Sequence, residues 1–155
     1  MKQLRFSIIF FCISFTVYAQ ASDSLKKFDP TRNPFDDLKS AVGLAMEVNK
    51  RIILDVGGEW CIWCHRIDAI MHNTEEIKSL LEENFIILKI NFSKENKNEK
   101  FLSQYPPIEG YPHFYVLDTD GKLLHSQNTG EFEKEKDYDK EKFITFINKW
   151  KPVKN

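Results

Sequence analysis

A three-layer α/β/α sandwich is predicted by three features of this sequence: the order in which helical and strand patterns alternate, two almost continuous β-branched runs, and a glycine-closed reversal between two later runs. The patterns read helix, strand, two helices, strand, short helix, strand, strand, helix. Alternation of this kind places helices on both faces of a mixed, mostly four-stranded central sheet, with right-handed crossovers between parallel strands.

The composition sets the outer bounds. The chain has 155 residues, 22 Lys and Arg against 23 Asp and Glu, and 42% hydrophobic residues, which is enough apolar material for one ordinary globular domain. Net charge is −1 and no basic stretch stands out, so a nucleic-acid partner is not expected. The 29% of charged residues are mixed in sign, which argues against wholesale disorder.

Residues 1–21 read as a secretory signal peptide. Lys2 and Arg5 precede the apolar stretch from Phe6 to Val17, and Ala19-Gln20-Ala21 gives a small-x-small cleavage pattern. The apolar stretch is shorter than the roughly 20 residues a membrane span requires. Its removal takes the net charge from −1 to −3, since Lys2 and Arg5 leave with it. Cys12 leaves too, so Cys61 and Cys64 are the expected cysteines of the exported chain. Export implies a periplasmic or similar oxidising compartment.

Residues 22–34, polar and carrying Pro30 and Pro34, read as an extended lead-in, and residues 35–152 as the folded domain. Phe35, Leu38, Val42, Ala45 and Met46 recur at helical spacing, and Asn49-Lys50-Arg51 closes that helix. Ile52 to Val56 is a strand with apolar residues on both faces, stopped by Gly57-Gly58; Asp55 is the anomaly inside it. Beyond the cysteines, Ile67, Ile70 and Met71 mark one helix, and Asn73 with Glu76 looks like the N-cap of a second that carries Ile77, Leu80 and Leu81. Phe85 to Phe92 is the second buried strand, interrupted by Lys89 and Asn91.

Phe101 and Leu102 suggest a short helix terminated by Pro106-Pro107. His113–Leu117 and Lys122–Ser126 flank Asp118-Thr119-Asp120-Gly121 as a hairpin. The charged residues 131–142 read as a solvated loop, and Phe143, Ile147 and Trp150 as the inner face of a terminal helix. Neither a repeat nor a dimerisation segment is present in the pattern, so a monomer is expected.

Trp60-Cys61-Ile62-Trp63-Cys64-His65 carries the chemistry. Cysteines three residues apart at a helix start share a face, and their α-carbons fall about 5 to 6 Å apart, the span a disulfide needs. At the helix N-terminus, unpaired amides and the helix dipole favour a Cys61 thiolate. Cys64, one turn further in, suits the resolution of a mixed disulfide. Such a short loop removes little chain entropy, so an inert structural disulfide explains the spacing poorly.

Other readings of the same residues stay open. Cys61-x-x-Cys64-His65 satisfies the c-type haem attachment pattern, with Met46 or Met71 opposite His65. The strand-rich flanks are foreign to small helical haem carriers. A zinc site lacks a second paired half among His65, His72, His113 and His125, so no metal is expected. A third alternative is a non-catalytic adaptor that binds partner chains through Trp60, Trp63 and Tyr111.

Taken together, Asp55 six residues before Cys61, the Trp60-Cys61-x-x-Cys64 motif, Lys89 in Leu88-Lys89-Ile90-Asn91 and Gly110-Tyr111-Pro112 resemble the thioredoxin superfamily over roughly residues 36 to 150. The Phe28-Asp29-Pro30 lead-in and the Trp63-Cys64-His65 ending are similar to exported bacterial members. The resemblance implies an exported thiol-disulfide oxidoreductase without a cofactor. Cys61 would be its nucleophile and Cys64 its resolving thiol, the two forming its disulfide. Asp55 would be a buried proton relay, its pKa raised by burial, and Lys89 the partner of that acid. Pro112 would be a cis-proline beside the site, with Trp60 packed by the nucleophile.

The dipeptide Ile62-Trp63 departs from the Gly-Pro of reducing thioredoxins and from the Pro-His of a strong periplasmic oxidant. Bulky Trp63 and Tyr111 are expected to narrow access and select apolar substrate strands. His65, when protonated, would favour a thiolate. The expected activity is reduction of protein disulfides, fed by a membrane thiol-disulfide electron donor; oxidase or isomerase activity on the same fold is the alternative. His72 and His125 read as ordinary surface residues, and His113 as either a sheet residue or a neighbour of the site.

Overall fold

The computed structural model describes residues 27–153; the expected signal peptide and the first part of the lead-in lie outside them. Helix α1 (Pro34–Val48) precedes strand β1 (Arg51–Gly57). Helices α2 (Ile62–Asn73) and α3 (Glu75–Asn84) lead to β2 (Phe85–Asn91). After the one-turn helix α4 (Glu99–Leu102) come β3 (His113–Leu117) and β4 (Leu123–Asn128). A 3-10 turn (Thr129–Phe132), a two-residue hairpin of β5 (Glu133–Lys134) and β6 (Asp137–Tyr138), and helix α5 (Lys140–Trp150) complete it.

The central sheet has the order β2-β1-β3-β4. β1 runs parallel to β2 and antiparallel to β3, and β3 pairs antiparallel with β4. This is the expected mixed four-stranded sheet. Because side chains alternate along a strand, β1 serves two cores. Ile53 joins Ile67, Ile70, Met71, Phe114, Phe143 and Ile147 on the face covered by α2, α3 and α5. Ile52, Leu54 and Val56 join Ala41, Ala45, Leu88, Ile90 and Tyr115 on the face covered by α1. Asp55 has the parity of Ile53 and therefore points beneath α2, the helix that carries both cysteines.

Several local expectations are corrected. Pro34 is not part of the lead-in but the first residue of α1, where its missing N–H costs no hydrogen bond; Asn33 caps the helix by accepting from the Phe35 amide at 3.1 Å. Phe35 and Met46 stay outside the core, exposed at 41% and 64%. The buried stripe of α1 runs through Ala41 and Ala45, and Met46 lies about 100° of helical rotation beyond Ala45. Asn49 ends the helix in the left-handed region, at φ 52°.

The boundary between α2 and α3 is Thr74 rather than Asn73, and no side-chain cap is formed there. Helix α4 stops at Leu102, before Pro106-Pro107. The charged stretch after residue 131 is not a plain loop, since it folds into the β5–β6 hairpin and buries Tyr138. His125 is more than a surface residue: its ring stacks on Trp150 at 4.5 Å.

Candidate active site

Gly57 and Gly58 end β1, and the chain turns to enter α2 with Cys61 as its N-cap. Two amides converge there: Cys61 N–H donates to the Gly58 carbonyl at 3.0 Å, and Cys64 N–H donates to the Cys61 sulfur at 3.1 Å. Cys61 and Cys64 form a disulfide, with α-carbons 5.2 Å apart. Cys64 is fully buried and Cys61 nearly so. Once reduced, a sulfur at this position gains from the amide and from the positive end of the helix dipole, both of which favour a thiolate.

Beneath the pair, Asp55 and Lys89 are register partners across β1 and β2. Lys89 Nζ donates to Asp55 Oδ2 at 2.9 Å and to Asp68 Oδ1 at 2.6 Å. Burial pushes the Asp55 carboxyl above its ordinary range, partly opposed by Lys89 and reinforced by Asp68. For Lys89, burial acts downward but is outweighed by the two carboxylates, which hold its pKa up. Asp55 Oδ1 accepts no hydrogen bond from the described residues. A buried acid with raised proton affinity and one open acceptor position is equipped to take up and return a proton.

Trp60 stands 58% exposed above the site. Its indole N–H donates to the Phe92 carbonyl at 2.7 Å and its ring meets Tyr111 edge-on, centroids 5.6 Å apart. Tyr111 in turn stacks on Phe92 at 4.8 Å. The Tyr111–Pro112 peptide bond is cis, and the Thr129 hydroxyl donates to the Pro112 carbonyl. Trp63 is half-buried: it packs against the Phe28–Cys61–Cys64 cluster and on Tyr138 at 5.4 Å, with the Arg66 guanidinium 4.4 Å from its ring centroid. The outward residue of the Cys-x-x-Cys pair is therefore Ile62, 59% exposed.

His65 is exposed at the surface, with Nε2 2.8 Å from the Glu59 carbonyl. His113 occupies the first position of β3, buried, with Nε2 2.8 Å from Ser126 Oγ. Burial lowers its pKa, with Glu109 acting against the shift and His125 with it.

The structure thus gathers Asp55, Lys89, Cys61, Cys64, Trp60, Trp63, Tyr111 and Pro112 at one end of the sheet, with Trp63 on the side of Tyr138. It adds groups that the sequence reading omits. Asp68 lies four residues after Cys64, so the helical i, i+4 relation to a cysteine was its available signal. Phe92, Thr129 and Phe28 carry no comparable local pattern. Among the described residues no His, Cys, Asp or Glu cluster is suited to a metal ion.

A mixed four-stranded sheet with a Cys-x-x-Cys disulfide at the start of the helix after its first strand is a thioredoxin-like arrangement. The chain belongs to the thioredoxin-like family, whose model matches residues 33–119. A disulphide isomerase from Xylella fastidiosa Temecula1 has a similar structure, with a TM-score of 0.69 and 22% identity, covering 79% of this chain and 94% of that one. The oxidised DsbD C-terminal domain of Neisseria meningitidis gives a TM-score of 0.54 at 23% identity, with 76% and 96% covered. In sequence, spermatogenesis-associated protein 20 of Mus musculus is 40% identical over 53 residues, 34% of this chain. The chain spans 7% of the length of that curated relative.

Proposed function

We propose that this protein is an exported disulfide reductase that works on protein substrates through the Cys61/Cys64 couple. The observation that carries the reading is the Cys61–Cys64 disulfide at the start of α2, lying over the buried Asp55–Lys89 pair. In the reduced protein, the Cys61 thiolate attacks one sulfur of a substrate disulfide. A Cys61–substrate disulfide forms, and the other substrate sulfur leaves with the electron pair and takes up a proton. Cys64 then gives its proton to the Asp55 carboxylate and attacks the Cys61 sulfur, which releases the second substrate thiolate; the proton held by Asp55 passes to that thiolate and restores the carboxylate. The substrate gains two electrons and two protons; the protein dithiol becomes the disulfide described above.

Renewal of the dithiol in an oxidising compartment requires a membrane thiol-disulfide donor, and the reading therefore includes one. Export to the periplasm rests on Lys2, Arg5, the Phe6–Val17 apolar stretch and Ala19-Gln20-Ala21. Trp60, Tyr111 and Pro112 form the surface against which an extended substrate segment lies, and a monomer suffices for every step.

Insulin-disulfide reduction tests the chemistry. The wild type is expected to precipitate insulin in the presence of dithiothreitol, and Cys61→Ser to be inert; an active Cys61→Ser sinks the mechanism. Direction is read from the potential of the pair, followed by Trp60 and Trp63 fluorescence. A value near about −270 mV means a reductase, and one near about −120 mV makes the protein an oxidant. The c-type haem alternative is disfavoured by the geometry, because both sulfurs are buried, His65 Nε2 contacts the Glu59 carbonyl, Met46 is on the outer face of α1 and Met71 is packed in the core with Ile53 and Ile67.

A further inference from the structure

The lead-in before α1 lies outside the family match yet touches the redox centre. Phe28 is 3% exposed and forms a small apolar cluster with Cys61 and Cys64. Its ring lies against Gly57: a β-carbon built there would fall 3.0 Å from Phe28 Cζ and 2.5 Å from the Cys64 sulfur. On its other side, the Lys89 ammonium is 4.1 Å from the ring centroid, a cation–π distance. The ring is thus wedged between the resolving sulfur and the cation that holds Asp55.

Residues 28–32 of this segment are fastened. Phe28 N–H donates to Glu59 Oε1 at 3.0 Å, and Asn96 Nδ2 donates to the Pro30 carbonyl at 2.9 Å. Arg32 and Asp37 form an ion pair where the lead-in enters α1. A short, proline-containing stretch fastened along residues 28–32 beside one buried aromatic ring is built as a strap.

We propose that Phe28 is a positioning residue of the redox centre, a hydrophobic plug that keeps water from Cys64 and from the Asp55–Lys89 pair so that the Cys64 proton passes to Asp55 rather than to solvent. The inference rests on the reductase reading and deepens it by assigning the protein's own lead-in a part in the resolving step. The physical basis is dehydration: a thiol in an apolar enclosure is a weak acid toward water, and the Asp55 carboxylate, on β1 beneath α2, becomes the stronger competitor for its proton. Removing the ring hydrates both groups and removes the cation–π contact to Lys89. Other titratable groups lie around the same space: Asp68 on α2 through Lys89, Glu59 in the preceding loop, and the phenols of Tyr111 and Tyr138, while His65 on α2 stays at the surface against the Glu59 carbonyl.

The test is the alkylation of Cys64 by iodoacetamide in Cys61→Ser, mapped to Cys64 by mass spectrometry across a pH series. Adding Phe28→Ala is expected to speed alkylation about tenfold or more near neutral pH and to lower its pH midpoint, whereas Phe28→Leu, which keeps an apolar plug, stays within about threefold of its parent. A folded Phe28→Ala with unchanged rate and midpoint overturns the proposal. If Phe28→Ala does not fold, Glu59 decides. Glu59→Ala frees the strap, while Glu59→Gln removes the same charge and keeps an acceptor for Phe28 N–H. Faster alkylation in Glu59→Ala alone supports the plug, and equal rates in the two variants overturn it. No substrate disulfide enters this assay, so an inactive wild type in insulin reduction counts against the reductase reading and not against the plug.

Discussion

Asp68 Oδ1 holds the Lys89 ammonium at 2.6 Å, so the helix that carries both cysteines is tied to the buried ion pair beneath them. Lys89 is 3% exposed at its side chain and Asp68 24%. Asp68 is therefore the member of the Asp55–Lys89–Asp68 chain that reaches solvent, and it provides an electrostatic route between the bulk and an acid that has no exposure of its own.

Asp68→Asn removes one of the two charges that hold Lys89 and also the negative charge that helps raise Asp55. The Asp55 pKa is then expected to fall, and the acidic limb of the insulin-reduction profile to move to lower pH. A cost of about 1 to 2 kcal/mol in stability is expected from the lost charged hydrogen bond. The measurement is a pH–rate profile with a denaturation curve for each protein; an unmoved limb separates Asp68 from the redox chemistry.

Asp55 itself gives a stability signature with a definite sign. Its folded-state pKa is raised, by burial first, above an unfolded value near about 3.9. Between those two values the folded state binds the extra proton. The contribution is fully present below about pH 4 and is lost as pH rises through the folded value, by up to about 1.4 kcal/mol per pH unit in that window. Asp29, Glu95 and Asp139, whose pKa values are lowered by hydrogen bonds, act in the opposite sense. The contribution of Lys89, whose pKa is held up, is fully present below its ordinary 10.5 and changes with pH only above it. The difference between wild type and Asp55→Asn isolates the one group: relative to the variant, wild type is expected to lose stability from pH 4.5 to pH 8 in urea titrations. A constant difference across that range contradicts the raised pKa.

What the sequence revealed and what it concealed have separate physical causes. The two inner strands were legible because Ile52–Val56 and Phe85–Phe92 are apolar on both faces, and Asp55 was conspicuous for the same reason. The depth of Lys89 was not legible, since a lysine stem can carry its charge either to the surface or to a buried acid. The β5–β6 hairpin escaped notice because two-residue strands leave no periodicity, and Glu135 adopts φ 59° there without a glycine to mark it. The motif alone placed Trp63 beside the cysteines, where it packs, but could not show its second partner Tyr138, 75 residues away in sequence, whose burial depends on that unread hairpin. Phe28 was visible as part of the lead-in, yet nothing local told that it packs against the cysteines.

On the proposed reductase reading, Trp60 is the side chain placed to hold a protein substrate. It borders a surface groove of about 490 Å³ with Phe92, Ser93, Lys94, Glu95 and Lys97, and rests on Tyr111. At 58% exposure it contributes little to the core. Trp60→Ala is expected to leave the melting temperature nearly unchanged and to raise KM for insulin about tenfold, the loss of roughly 1.4 kcal/mol typical of an interfacial aromatic. Reduction of glutathione disulfide, which is too small to reach the groove, should change by less than about threefold. Equal losses on the two substrates place the role of Trp60 at the sulfurs instead.

Gly57 and Gly43 give a matched pair of opposite sign. A methyl group on Gly57 would sit 2.5 Å from the Cys64 sulfur and 3.0 Å from the Phe28 ring. Neither neighbour has room to retreat, because Cys64 is fully buried and bonded to Cys61, and Phe28 is pinned by Glu59 and flanked by Lys89. Gly57→Ala is therefore expected to destabilise the protein by about 1 to 3 kcal/mol through overpacking. The strain falls on the redox centre, so the rate of Cys61/Cys64 re-oxidation should change with it. Gly43 is mid-way along α1 with open space around a β-carbon. Gly43→Ala should stabilise by about 0.8 to 1 kcal/mol, the helix-propensity difference alone. Urea denaturation of the oxidised proteins measures both; a neutral Gly57→Ala would mean that the strap yields, and would loosen the packing on which the Phe28 plug depends.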